Sequence, residues 1–167
     1  MRYVGADDAA SHAELAWYAS AVEQAYRDVQ DVFASPLHET QTPERSEIVV
    51  TLYGTEEAYA EANPLASRAD GVLGHAQPSE GTIGVAVSRL RDKSEGFRRD
   101  AIRHELTHVV LGDLSNQRLP IGFQEGIAQY LERDIDQRQR FANAVRRGRD
   151  AGQLLHFSEL NRQRTFL

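Results

Sequence analysis

The stretch from about Phe97 to Gly112 sets the first constraint on this chain. Ala101, Ile102, Val109, Val110 and Leu111 make it a mostly apolar helix that can be buried beside a core. Arg98, Arg99, Asp100 and Arg103 gather at its start, and His104, Glu105 and His108 break its apolar run. Gly112 reads as the stop, with Asp113 opening the next loop. Two histidines four residues apart on a helix lie about one turn apart on the same face.

That spacing places two imidazole nitrogens where one Zn²⁺ ion can take both. His104-Glu105-Leu106-Thr107-His108 is an H-E-x-x-H motif, and Leu106 and Thr107 put no competing charge between the histidines. Glu105 flanks the metal without having to bind it, which is where a general base for water at the metal belongs. The chain has no cysteine, so disulfides and thiolate ligands are excluded. His, Asp and Glu remain as the strong ligands.

A catalytic zinc site usually takes three protein ligands and keeps one position open. An extended H-E-x-x-H-x-x-G-x-x-H pattern fails, because Leu111 and Leu114 stand three and six residues after His108. The alternative is a glutamate on a following helix. Leu119 to Glu132 supplies Glu125, with Pro120 suited to the helix entrance and Ile121, Ile127, Ala128 and Leu131 marking a buried face. A carboxylate among such residues is costly unless it is paired or bound to metal. Gln129, four past Glu125, is placed to hold a ligating imidazole by its second nitrogen.

The motif H-E-L-T-H followed by P-x-x-x-x-E-G-x-A-x-Y resembles the peptidase MA-like gluzincins, the thermolysin-like zinc peptidases. The resemblance extends to Arg2-Tyr3-Val4 and the long helix after it, to Ile48–Tyr53 as the next strand, and to Gly74–Ala76 with Ile83–Val87 as a hairpin. It implies an α+β, zincin-like fold over residues 1–167 as a single domain. A small, mostly antiparallel sheet would pack on the active-site helix and the helices after it. It also implies zinc held by His104, His108 and Glu125, Glu105 activating water, and a peptide or protein substrate. The chain departs from the family in two places. Gly122 stands where many relatives carry Trp, and the gap from His108 to Glu125 is shorter than in thermolysin. Relatives often carry a later helix with a Tyr or His that stabilises the transition state. Phe157–Leu160 lead toward that helix, so the domain is expected to be truncated at its C-terminal end.

A chain of 167 residues suits one domain. Its net charge of −6 argues against nucleic acid as the main partner. No apolar run approaches the ~20 residues that span a bilayer. No signal peptide is read after Met1, although relatives are often exported and the natural protein leans to an extracytoplasmic place.

Leu15, Tyr18, Val22, Ala25, Tyr26, Val29 and Phe33 recur at helical spacing from about Asp8 to Ala34, and this stripe reads as core. Pro78–Gly81 reads as a hairpin turn between two β-like runs. Ile135–Arg149 reads as a charged helix with Phe141, Ala144 and Val145 inside and its arginines on a solvated face. His75 lies near the expected cleft; His156 near the end has packing as its simpler role. The competing expectation for the whole chain is a peptidase-like module that binds zinc or a protein partner and cleaves nothing. Glu105 argues against it, since a pure binding site needs no base there. A purely structural metal fits poorly with a three-ligand site.

Overall fold

The computed structural model describes residues 1–4, 9–33, 47–63, 72–132 and 135–153. The first β-strand, β1 (Arg2–Val4), leads to helix α1 (Ala9–Phe33). Next come β2 (Val49–Tyr53), the short helix α2 (Glu56–Ala62), and the hairpin strands β3 (Gly74–Gln77) and β4 (Thr82–Ala86). One helical turn, α3 (Val87–Leu90), precedes α4 (Glu95–Leu114), α5 (Ile121–Leu131) and α6 (Ile135–Asp150). The class is α+β, with a small mixed sheet in the order β1-β2-β4-β3.

The sheet corrects the expectation of mostly antiparallel pairing. β1 pairs parallel with β2, and β2 pairs parallel with β4; only β3 and β4 run antiparallel. The reason is the connections. α1 carries the chain back to the end of the sheet where β1 began, and α2 with β3 does the same between β2 and β4. Adjacent strands joined by such a crossover run parallel, whereas a tight turn forces the antiparallel arrangement of β3 and β4. In that turn Gly81 takes φ +67, and its N–H donates to the Gln77 carbonyl at 3.0 Å.

One face of the sheet, through Val50, Leu52, Ile83 and Val85, meets Tyr18, Ala21 and Ala25 of α1 and Ile102, Leu106 and Val109 of α4. The other face carries a smaller cluster of Tyr53, Tyr59 and Ala86. Of the stripe expected on α1, Tyr18, Ala25 and Val29 are buried, Leu15, Val22 and Tyr26 pack against the core and Phe33 is half-buried, while Trp17 lies beside them under the guanidinium groups of Arg98 and Arg99. Ser94 caps α4 by accepting from the Phe97 N–H at 3.3 Å. A cap is worth about 1 kcal/mol, while each buried Ile, Leu or Val contributes roughly 1.5–3 kcal/mol. The seat of α4 is set by the core. A buried ion network adds direction: Arg103 of α4 pairs with Asp100 and, at 3.2 Å, with Asp28 of α1.

α4 runs two residues past the expected stop, to Leu114. Gly112 lies inside it for a steric reason: a Cβ there would sit 2.5 Å from Pro78 Cβ and 2.7 Å from Gln117 Nε2. The turn after α4 uses left-handed backbone at Asn116 (φ 50) and Gln117 (φ 60). The Gln117 N–H donates to the Gly112 carbonyl at 2.8 Å, and Leu119 N–H to Ser115 Oγ at 3.3 Å. This tight connection doubles the chain back, so that α5 lies along α4. On α5, Ala128 and Leu131 are buried as expected, but Ile121 is exposed. On α6, Val145 and Ala144 are exposed rather than inside, and the Phe141 side chain lies outside the described residues. No helix among the described residues is long and apolar enough to cross a membrane.

Candidate metal centre

The core-facing residues of α4 leave His104 and His108 on the side turned to α5, and α5 returns Glu125 to them. His104 Nε2 and His108 Nε2 are 3.2 Å apart. Glu125 spans the two rings, with Oε2 3.4 Å from His104 Nε2 and Oε1 3.4 Å from His108 Nε2. The three side chains form a group that could hold a metal ion. A tetrahedral ion with bonds of ~2.0–2.1 Å has neighbouring ligand atoms ~3.3–3.4 Å apart. The two histidine nitrogens, and each nitrogen with its nearer Glu125 oxygen, stand near that edge length, so this nitrogen and oxygen donor set could hold a metal ion.

His104 has a further partner. Its Nδ1 lies 2.8 Å from Oε1 of Glu132, the buried residue just past the end of α5. Such a contact fixes the ring and leaves Nε2 as the ligating atom. The sequence assigns this task to Gln129, and here the structure corrects it. The helical signal for Glu132 was present: seven residues past Glu125 is two turns along nearly the same face.

The electrostatics describe a site that wants a cation. Burial alone would depress the His104 pKa, but hydrogen bonds to Glu125 and Glu132, with the nearby Glu105 charge, raise it to about 10. Without a metal, His104 therefore carries a proton at neutral pH. His108 is pushed below the usual histidine value by burial, with the charge of His104 adding to the effect. The hydrogen bond from His104 holds the Glu125 carboxyl below the ordinary range.

Glu105 is not one of the converging donors. It leaves α4 on the side of β3, where its carboxyl lies against Gly74. Burial raises its pKa to about 7, the charges of Glu125 and Glu132 push the same way, and His104 opposes them. A carboxylate poised near 7 is matched to taking and giving a proton at neutral pH.

Tyr59 and Arg89 carried no sequence signal, whereas Gly74, which Glu105 touches, lies on the hairpin that the resemblance places near the cleft. Tyr59 of α2 is fully buried, its hydroxyl has no hydrogen-bond partner among the described residues, and its pKa is raised to about 12 by burial and then by the Glu105 charge. Arg89 lies over the Tyr59 ring and also donates to the Val72 carbonyl at 2.6 Å. His75 does not join the site. Its ring packs over Gly84 and 5.8 Å from Tyr59, and burial lowers its pKa. His156 and residues 157–160 lie outside the described residues. The chain matches no family model, no curated protein and no solved structure.

Proposed function

We propose that this chain is a zinc-dependent peptidase whose metal is held by His104, His108 and Glu125. The observation that carries the reading is the division of labour among the acids. Glu125 meets the imidazoles at metal-ligand spacing, Glu132 steadies one of them, and Glu105 stands beside the group without joining it. A zinc ion there would supply Lewis-acid chemistry, polarising a carbonyl and acidifying water. His104 and His108 contribute neutral nitrogens, which requires His104 to give up the proton it holds in the metal-free protein. Glu105 accepts a proton from water as the water adds to a peptide carbonyl, and delivers it to the departing amine. The products are one carboxylate and one amine. The peptidase MA-like resemblance of H-E-L-T-H and Glu125 points the same way.

The test is Glu105→Gln, which keeps size and removes the base. With quenched-fluorescent casein as substrate, cleavage by the zinc-loaded chain is expected to fall by ~10²–10⁴-fold. Bound zinc, measured by atomic absorption after dialysis, stays at the parental level, whereas His104→Ala and Glu125→Ala lose it. Zinc lost with Glu105→Gln would make Glu105 a ligand. A parent that binds zinc and cleaves nothing leaves the binding module in its place.

A further inference from the structure

Glu105 reaches β3 at a position where the strand has no side chain. A Cβ built on Gly74 would lie 3.0 Å from Glu105 Cγ and 3.2 Å from its Oε1. Carbon atoms prefer ~3.5–4.0 Å, so the contact with Cγ is compressed, and both contacts require the Glu105 side chain to give by a few tenths of an ångström. The strand has little freedom to yield. Gly74 is buried and in register with Val85 of β4, and the same Cβ would meet the Gly84 carbonyl oxygen at 2.9 Å. Alternation along the strand puts residues 74 and 76 on the α4 side and His75 on the other. The backbone does not itself ask for glycine here, since positive φ occurs at Gly81 and Gly152 but not at Gly74. What the position requires is empty space, and the Glu105 side chain fills it.

We propose that Gly74 is a positioning residue for the base: its missing side chain is the slot that holds the Glu105 carboxylate at its working distance from the metal ligands. This rests on the hydrolytic reading above. A methyl group at 74 pushes the carboxylate back by a few tenths of an ångström while leaving His104, His108 and Glu125 where they are. Misplacing a reacting group by about 1 Å costs on the order of 10²-fold in rate, and this smaller shift costs on the order of 10-fold. The substitution therefore acts on turnover and spares the metal.

The experiment uses the full chain as parent, Gly74→Ala, Glu105→Ala and the double variant. Gly96→Ala is the control, because a Cβ at Gly96 meets nothing within 4 Å. Melting temperatures are read with chelator present, and turnover is read on the quenched peptide that the zinc-loaded parent cleaves fastest. Gly74→Ala is expected to keep one zinc per chain and a KM within about threefold of the parent, with kcat down ~10-fold; Gly96→Ala changes none of these. The melting-temperature loss from Gly74→Ala should be larger in the parent than in the Glu105→Ala background, where the slot is empty. Equal losses in the two backgrounds, or full kcat in Gly74→Ala, overturn the proposal. Should Gly74→Ala fail to fold, recovery in the double variant supports it, and a double variant that also fails assigns the clash to the Gly84 carbonyl and overturns it. Failure of the hydrolytic reading is distinct, because it appears as an inactive parent.

Discussion

Replacing Glu132 by Gln tests how the site chooses between a proton and a metal. Glu132 holds His104 Nδ1 at 2.8 Å and is 8% exposed, so its charge acts on the imidazole with little screening. Removing that charge has two effects that oppose each other. The imidazole becomes a poorer and less well oriented ligand, which for a supporting carboxylate costs roughly 10–100-fold in metal affinity. The same change lowers the affinity of His104 for its competing proton. In the parent, with a pKa of about 10, that proton would weaken zinc binding at pH 7 by on the order of 10³-fold. Without the Glu132 charge the variant holds the proton less tightly, and competition eases. The two effects offset each other in part at pH 7. As pH rises toward 10 the proton leaves both proteins and only the loss remains. Competition against a fluorescent zinc chelator from pH 6.5 to 9 should therefore show an affinity loss that is smallest at low pH and grows with pH. Calorimetry at pH 8 in buffers of different ionisation enthalpy should show about one proton released by the parent and fewer by Glu132→Gln. The same fold loss at both ends of the range, with no proton release, would refute the reasoning.

Two further outcomes follow from the same structure. Because the Tyr59 hydroxyl is buried without a hydrogen-bond partner among the described residues, a state that costs ~1–3 kcal/mol, Tyr59→Phe should unfold in urea no earlier than the parent; a loss above about 1 kcal/mol would reveal a partner. In the metal-free protein the raised His104 pKa contributes stability that is complete below about 6.5 and is lost as pH rises through about 10, at ~1.4 kcal/mol per unit. Urea midpoints taken with chelator should thus fall between pH 7 and 10, and a flat profile would count against the His104–Glu132 pair.

The elements that the sequence made legible are those fixed by local rules. The α1 stripe, the Pro78–Gly81 turn and the helical frame of His104 and His108 depend on periods of 3.6 or 2 and on turn residues, all of which are written over a few positions. Strand direction is not local. It depended on noticing that helices separate β1 from β2 and β2 from β4, so that two pairings had to be parallel. Gly112 misled for a related reason. A glycine ends a helix or admits a close neighbour with the same letter, and only the approach of Pro78 and Gln117 says which.

The candidate site divides along the same line. His104 and His108 were readable because their partner relation is one helical turn, and Glu125 because an acid on an apolar helix needs a reason. Glu132 was missed because the count stopped at one turn, at Gln129, although α5 ends at Leu131 and its cap residue turns back onto His104. Gly74 and Tyr59 sit on β3 and α2, far from the motif in sequence, and reach Glu105 only through the sheet. The site's charges explain why these distant residues matter. Glu105, Glu125 and Glu132 crowd two imidazoles in a largely buried space, and without a cation the protein answers by keeping a proton on His104. A metal would take over that proton's work of balancing Glu125 and Glu132. Glu105 would then be the acid of the three left free to carry protons, and the slot at Gly74 decides where it does so.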